Sequence, residues 1–208
     1  MPATTSTRPR SSQRSSACAP ARPELLEYPD PPLTDGAALL RPWEPRDVAC
    51  AQEVKSYDRD AALGWIARHE TRRSGGAGIS FAIADVASDE ALGYIGLLHR
   101  PTAGLAPTAA ERGGGLVSEP DRGMAGIGYV VIERARGRGL ASTAVSLVTD
   151  WALSTAGLVR VEALVEPSNA ASQRVLEKAG FAREGRLAAY LAVPEGRADA
   201  FIYARTTG

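Results

Sequence analysis

The sequence predicts an α/β protein organised on one mixed sheet, in the order β-α-α-β-β-β-α-β-α-β-β. Three stretches carry that reading. Residues 79–84, Ile79-Ser80-Phe81-Ala82-Ile83-Ala84, and residues 91–100 are strand patterns joined by the turn Ser88-Asp89-Glu90, which makes a hairpin. Residues 127–156 open as a strand, pass through a turn rich in Gly and Arg, and close as a helix with an apolar stripe. A strand at 158–166 and a helix at 170–178 follow directly. Strands alternating with helices imply a mixed sheet covered on both faces.

Composition narrows the function classes. The chain has 208 residues, enough for one domain with a real core. Lys plus Arg and Asp plus Glu number 24 each, so no bulk field draws the molecule to nucleic acid or to an anionic membrane. Cys18 and Cys50 lie far apart, which argues against a disulfide scaffold or a Cys-based metal site. His69 and His99 are too few for a His-rich zinc centre, so no metal is expected. No apolar run reaches bilayer-spanning length, and the start lacks the apolar core of a signal peptide. A cytoplasmic protein is expected, and a homodimer is compatible with the chain.

The elements follow in order. Residues 1–32 are expected to form a disordered basic and Pro-rich tail, and residues 33–208 the folded domain. Up to Arg22 the tail is mostly Ser, Thr, Pro, Ala and Arg without an acid, too little apolar surface to offset ordering entropy. Residues 37–43 read as a first strand with Pro42 at its exit. Glu44-Pro45-Arg46-Asp47 is a helix start, after which Val48, Ala51 and Val54 share a face. A second helix over 59–72 turns Leu63, Ile66 and Ala67 inward and stops at the glycines near 75. The hairpin comes next, then a long loop over 101–125 that has no period.

In the helix after the Gly turn, Leu140, Ala144, Leu147, Val148 and Trp151 form the expected buried stripe. Ser142, Ser146, Thr149 and Asp150 are expected to face water, and Gly157 to cap the end. Asn169 caps the last helix and Gly180 ends it. Residues 181–191 and 198–205 make a final strand pair.

The chemistry concentrates in Arg134-Ala135-Arg136-Gly137-Arg138-Gly139-Leu140-Ala141. A strand, a Gly-rich turn and a helix N-terminus leave backbone N–H groups without intrahelical partners, at the positive end of the helix dipole. Gly137 and Gly139 let an anion approach the backbone, and Arg134, Arg136 and Arg138 add charge. The turn is therefore a candidate phosphate site. It is not a Walker-type loop, because no Gly-Lys-Ser/Thr follows. Its position after three earlier strands also disfavours a dinucleotide-binding fold.

Four blocks, in order, resemble the GNAT (Gcn5-related) N-acetyltransferases, in the subgroup of the ribosomal-protein alanine N-acetyltransferases and their small-molecule relatives. They are Leu39 to Asp47; Gly93-Tyr94-Ile95-Gly96; Ile127-Gly128-Tyr129-Val130-Val131 with Arg136-Gly137-Arg138-Gly139-Leu140-Ala141; and Asn169 to Phe181. The resemblance covers about residues 33–205. It implies the GNAT fold, in which the strand entering the Gly turn splays from the next one, and it implies acetyl-CoA as co-substrate. Arg136, Gly137, Arg138, Gly139, Leu140 and Ala141 match the positions that hold the pyrophosphate. Val130, Val131 and Ile132 match the strand that hydrogen-bonds the pantetheine arm as an added strand would. Asn169 matches a contact to that arm. The implied reaction is direct attack of a primary amine on the thioester, with a strand N–H stabilising the tetrahedral oxyanion.

The chain departs from the family at the catalytic groups. The Tyr that protonates the leaving thiolate in many members is matched by Leu176, and Ser172 is the substitute the closer subgroup suggests, beside the coenzyme arm. Tyr190 is a second candidate. For the base, the candidates are His99, which closes the third strand, and Glu166, which ends the fifth. Glu111, Glu119 and Asp121 in the long loop are candidates for holding a cationic acceptor. The acceptor is a protein N-terminus or a small-molecule amine. A non-catalytic acyl-CoA-binding module is the alternative reading. An RNA- or ribosome-binding protein using the two Arg clusters is a third, disfavoured by the balanced charge.

Overall fold

The computed structural model describes residues 25–99, 123–194 and 196–207. Among them are eight strands: β1 (Leu33–Thr34), β2 (Ala38–Arg41), β3 (Gly78–Asp85), β4 (Ala91–Leu98), β5 (Met124–Val131), β6 (Arg160–Val165), β7 (Ala182–Val193) and β8 (Gly196–Thr206). Four α-helices accompany them: α1 (Val48–Lys55), α2 (Arg59–Ser74), α3 (Leu140–Ser154) and α4 (Ala170–Lys178). The strands make one sheet in the order β1-β2-β3-β4-β5-β6-β8-β7. All neighbours are antiparallel except β5 and β6, which run parallel. None of the described helices is long and apolar enough to cross a membrane.

Both faces of the sheet are covered. Adjacent strand residues point to opposite faces. On β3, Ser80 meets His69 of α2, with 2.7 Å between Oγ and Nδ1, while Phe81 meets Trp151 of α3 edge-on. So α2 and α3 lie on opposite sides, and β3 is buried along nearly its whole length. On the α2 side, Trp43, Trp65, His69 and Tyr94 pack their rings together. Burial there, aided by Arg72, Arg68 and Lys55, pushes the His69 imidazole down to about 4.

A buried ion pair braces the start of the domain. Arg41, at the end of β2, grips Asp47 with two bonds of 2.8 and 2.9 Å. Its Nε donates to Asp89 at 2.6 Å. Asp47 also accepts from the Glu44 N–H, so the buried carboxylate is paired and hydrogen-bonded.

The expected strands and helices are present, with four differences. Ala67 of α2, expected to turn inward, is exposed, while Ala62, Trp65 and His69 are buried with Ile66. A two-residue strand, β1, adds an edge beyond β2. The packed unit also begins upstream of residue 33: Leu26 is buried, and Tyr28 lies edge-on to Phe81 and donates to the Ser80 carbonyl. Residues 1–24, most of the expected tail, lie outside the described residues. Finally, Thr149 is fully buried rather than facing water. Helix α3 packs against α4 as well as the sheet, so it buries more of its circumference than one stripe. Gly157 does adopt a left-handed conformation (φ 76°), and Leu158 N–H returns to the Ala152 carbonyl beyond it.

The central feature is the behaviour of β5 and β6. They pair only at Met124↔Arg160, Ala125↔Val161 and Gly126↔Glu162. Beyond that, β5 stays on its ladder with β4 as far as Gly93↔Val131, and β6 stays with β8 as far as Val165↔Phe201. Each strand is carried off by its other neighbour, and a gap opens between them.

Candidate active site

The gap is a cleft of about 240 Å³. Ile127, Gly128 and Tyr129 of β5 form one wall, and Ala163, Leu164 and Val165 of β6 the other. Glu166 stands at the end of β6, Asn169 and Ser172 enter from the start of α4, and Leu191 reaches over from β7.

The β5 wall is an unpaired strand edge. Ile132 N–H donates to Leu92 of the β4 side at 3.0 Å. In an antiparallel ladder backbone groups alternate sides, so Val130 faces β4 with Ile132. The groups turned to the gap are those of Ile127, Tyr129 and Val131. Of the three residues expected to hydrogen-bond a coenzyme arm, only Val131 presents its backbone there, and its carbonyl accepts from Arg136 Nε at 3.2 Å. Val130 and Ile132 do not. Which backbone groups face the gap is set by register with the partner strand.

The gap runs into the Gly turn. After a 3-10 turn at Glu133–Ala135, Gly137 and Gly139 both take left-handed conformations, φ 77° and 83°. That geometry strongly favours glycine. The space a side chain would enter at either position is open, with no atom within 4 Å. Leu140 is buried and anchors the first turn of α3, and half-buried Ala141 follows. No side chain caps α3, and no acid sits in its first turn. Free N–H groups at a positive helix end are suited to an anion.

The three arginines divide. Arg138 pairs with Asp85 at 2.8 Å, and Arg134 with Glu90 at 2.9 Å and Glu53 at 3.4 Å. Arg136 forms no ion pair among the described residues and stands exposed at the turn. The charge available to a phosphate is therefore concentrated on Arg136.

On the α4 side, Asn169 Oδ1 accepts from the Ser172 N–H at 3.0 Å and caps the helix. Ser172 is half-buried in the cleft wall. Its carbonyl accepts from Tyr129 Oη at 3.2 Å. Tyr129 is the group sequence reasoning passed over. Its place two residues after Ile127 on a strand puts both on one face, which was a usable signal. Burial raises its phenol pKa, so it stays protonated at neutral pH. Leu176 is fully buried, so no proton donor stands at that helix position.

The other sequence candidates separate. Glu166 lies at the cleft mouth, exposed. His99 follows β4 at the end paired with the start of β5, its N–H bonded to Ala77, and it does not line the cleft. Tyr190 is 44% exposed and turns outward, while its neighbour Leu191 faces the cleft. Glu111, Glu119 and Asp121 lie outside the described residues.

Comparison with known proteins places the chain. The family described as "Acetyltransferase (GNAT) domain" matches residues 37–182. Over 59 residues the chain is 49% identical to a Bacillus subtilis protein named Probable N-acetyltransferase YjcK, spanning 28% of this chain and 33% of that relative. The match thus spans about a third of that relative's length. Mycobacterium smegmatis RimJ in complex with CoA-disulfide superposes with a TM-score of 0.63 at 24% identity, over 85% of this chain and 86% of that one. A ribosomal-protein-S5-alanine acetyltransferase from Vibrio fischeri superposes with a TM-score of 0.63 at 16% identity, over 82% and 93% of the two chains. The solved structures show likeness of fold, and with the family match over 37–182 the chain belongs to the GNAT acetyltransferase family.

Proposed function

We propose that the protein is an acetyl-CoA-dependent N-acetyltransferase acting on a primary amine. One observation carries this: a splayed strand pair whose open edge leads directly into an uncapped, Gly-rich helix N-terminus. The residues present fit the coenzyme. The N–H groups from Gly137 to Ala141 and the Arg136 guanidinium suit a pyrophosphate. The β5 edge beyond its last pair with β6, open at Tyr129 and at the Val131 N–H, suits an extended amide-bearing arm. When bound, acetyl-CoA supplies the activated acyl group.

The chain's own groups take the remaining roles. A gap-facing N–H of β5 is placed to stabilise negative charge developing on the acyl oxygen. Tyr129 Oη, protonated and lining the cleft, is the proton donor to the departing thiolate, turning its O–H there from the Ser172 carbonyl. Glu166 at the mouth is the base that takes the amine's proton, directly or through water. The likeness to RimJ, solved with CoA-disulfide, supports the coenzyme, and the likeness to the Vibrio fischeri enzyme makes a protein N-terminal alanine the first acceptor to try.

A second reading, a non-catalytic acyl-CoA-binding module, has Leu176 in its favour. One experiment separates the two. Purified protein is mixed with acetyl-CoA and a panel of N-terminal peptides, amino acids, polyamines and aminoglycosides, with thiol release as readout and CoA binding measured by calorimetry. Turnover on one amine class supports the enzyme. Binding without turnover on every class supports the module, and absence of binding removes both.

A further inference from the structure

The turn between β3 and β4 carries three acids, and each is matched to arginine. Asp89 takes Arg41 and Arg46. Asp85 takes Arg138 at 2.8 Å, and Glu90 takes Arg134 at 2.9 Å. The last two arginines flank Arg136, with Arg134 ahead of the Gly turn and Arg138 between its two glycines. Two separate segments, far apart in sequence, therefore meet along one line of ion pairs.

The acidic turn is itself rigid. Asp85 N–H donates to the Glu90 carbonyl at 3.0 Å, and Asp89 N–H to the Asp85 carbonyl at 2.8 Å. Asp85 Oδ1 accepts from Ala87 and Ser88 N–H, which leaves Oδ2 for Arg138. Arg138, ahead of the turn's own hydrogen bonds, holds the Asp85 carboxyl below the usual range. Behind it, Asp89 is tied to Arg41 and so to the buried Arg41–Asp47 pair. The chain of contacts runs from the core to the Gly turn.

The Gly turn needs such support. Two left-handed glycines with open space beside them resist ordering more than any other residue type. A site that must order on binding loses affinity relative to one held in advance.

We propose that Asp85 and Glu90 are positioning residues for the anion-binding turn: through Arg138 and Arg134 they fix the backbone N–H groups of residues 137–141 in the geometry that receives a phosphate. This rests on the coenzyme reading above. It assigns Arg138 to the scaffold. In the opposite arrangement, Arg138 leaves Asp85 on binding and grips the phosphate itself. The two assignments give opposite signs for Asp85→Asn. A strut that is cut weakens binding, whereas an arginine set free strengthens it.

The test measures CoA affinity by titration calorimetry for the full chain and for Asp85→Asn, Arg138→Gln, the double variant and Glu90→Gln. Amide hydrogen exchange over 137–142 is followed without ligand, and thermal midpoints report folding. The strut predicts weakening of roughly three- to tenfold for each single variant, and a double variant no worse than the worse single, because both remove one interaction. It also predicts faster exchange at 137–142 and a raised KM for acetyl-CoA at near-constant kcat. Asp85→Asn binding as tightly as the wild type or more so, with Arg138→Gln weaker, would overturn the inference alone. A wild-type chain that does not bind CoA would overturn the coenzyme reading and the inference with it. Should Asp85→Asn not fold, Glu90→Gln carries the same comparison through Arg134.

Discussion

The unit formed by β5, the Gly turn and α3 contrasts with the arm formed by β7 and β8. In the first, backbone geometry sets almost everything: left-handed glycines, an unpaired strand edge, an uncapped helix and a bracket of ion pairs. In the second, a long hairpin is exposed along most of β7 and slips register twice. Ala189 sits there at φ 47°, held by Asp199 from its N–H side and Arg197 from its carbonyl. Leu191, just beyond that irregularity, lines the cleft. Under the proposed function the two substrates would be met differently: acetyl-CoA by backbone along β5 and the Gly turn, and the amine beside side chains of an irregular edge.

Asp47→Ala leaves Arg41 buried with part of its pairing gone, and should lower stability by about 3–5 kcal/mol, read by denaturant unfolding. The loss should spread to CoA binding, because Asp89 and its turn lean on Arg41. Loss of stability without loss of CoA affinity would separate the bracket from the donor site.

Acid should act through His69. Its folded-state value of about 4 lies below the ordinary 6.5, so the unfolded chain binds the proton more readily. The stabilisation is complete above about pH 6.5 and falls by up to roughly 3 kcal/mol as pH drops toward 4. Carboxylates such as Asp89, held low by Arg41, lose stabilisation in the more acidic range. His69→Gln should flatten the slope between pH 6.5 and 4, measured by unfolding at a series of pH values. An unchanged slope would contradict the account.

Gly139→Val puts a branched side chain at a left-handed position and into the open space above the turn. We expect KM for acetyl-CoA to rise about a hundredfold, from strain of ~1–3 kcal/mol together with blocked approach. The acceptor KM should hardly move. Ala189→Gly does the reverse on the arm. It should stabilise the protein by about 0.5–1 kcal/mol by relieving a left-handed alanine, with CoA affinity unchanged. Its effect should appear in the acceptor KM, through Leu191 at the cleft.

The same contrast explains what could be read from sequence. Periodicity found the strands and helices, because apolar spacing decides them. The Gly turn was legible from Gly137 and Gly139 beside Arg136, where residue type and backbone conformation coincide. Leu26 and Tyr28 were not, since isolated apolar residues in a Pro-rich stretch carry no period. Nor were the partners of Arg134 and Arg138, which lie 44 and 53 residues away. The turning of Val130 and Ile132 away from the gap depends on register with β4, a property of two strands together. Tyr129 was visible as part of a motif, but its role as a cleft wall needed α4 in place.

The most direct measurement is a crystal structure of the protein with acetyl-CoA. The account predicts the pyrophosphate on the N–H groups of residues 137–141, Arg136 beside it, and the arm in the gap along β5 with the thioester near Tyr129. A coenzyme bound elsewhere, or an arm lying outside the β5–β6 gap, would contradict it.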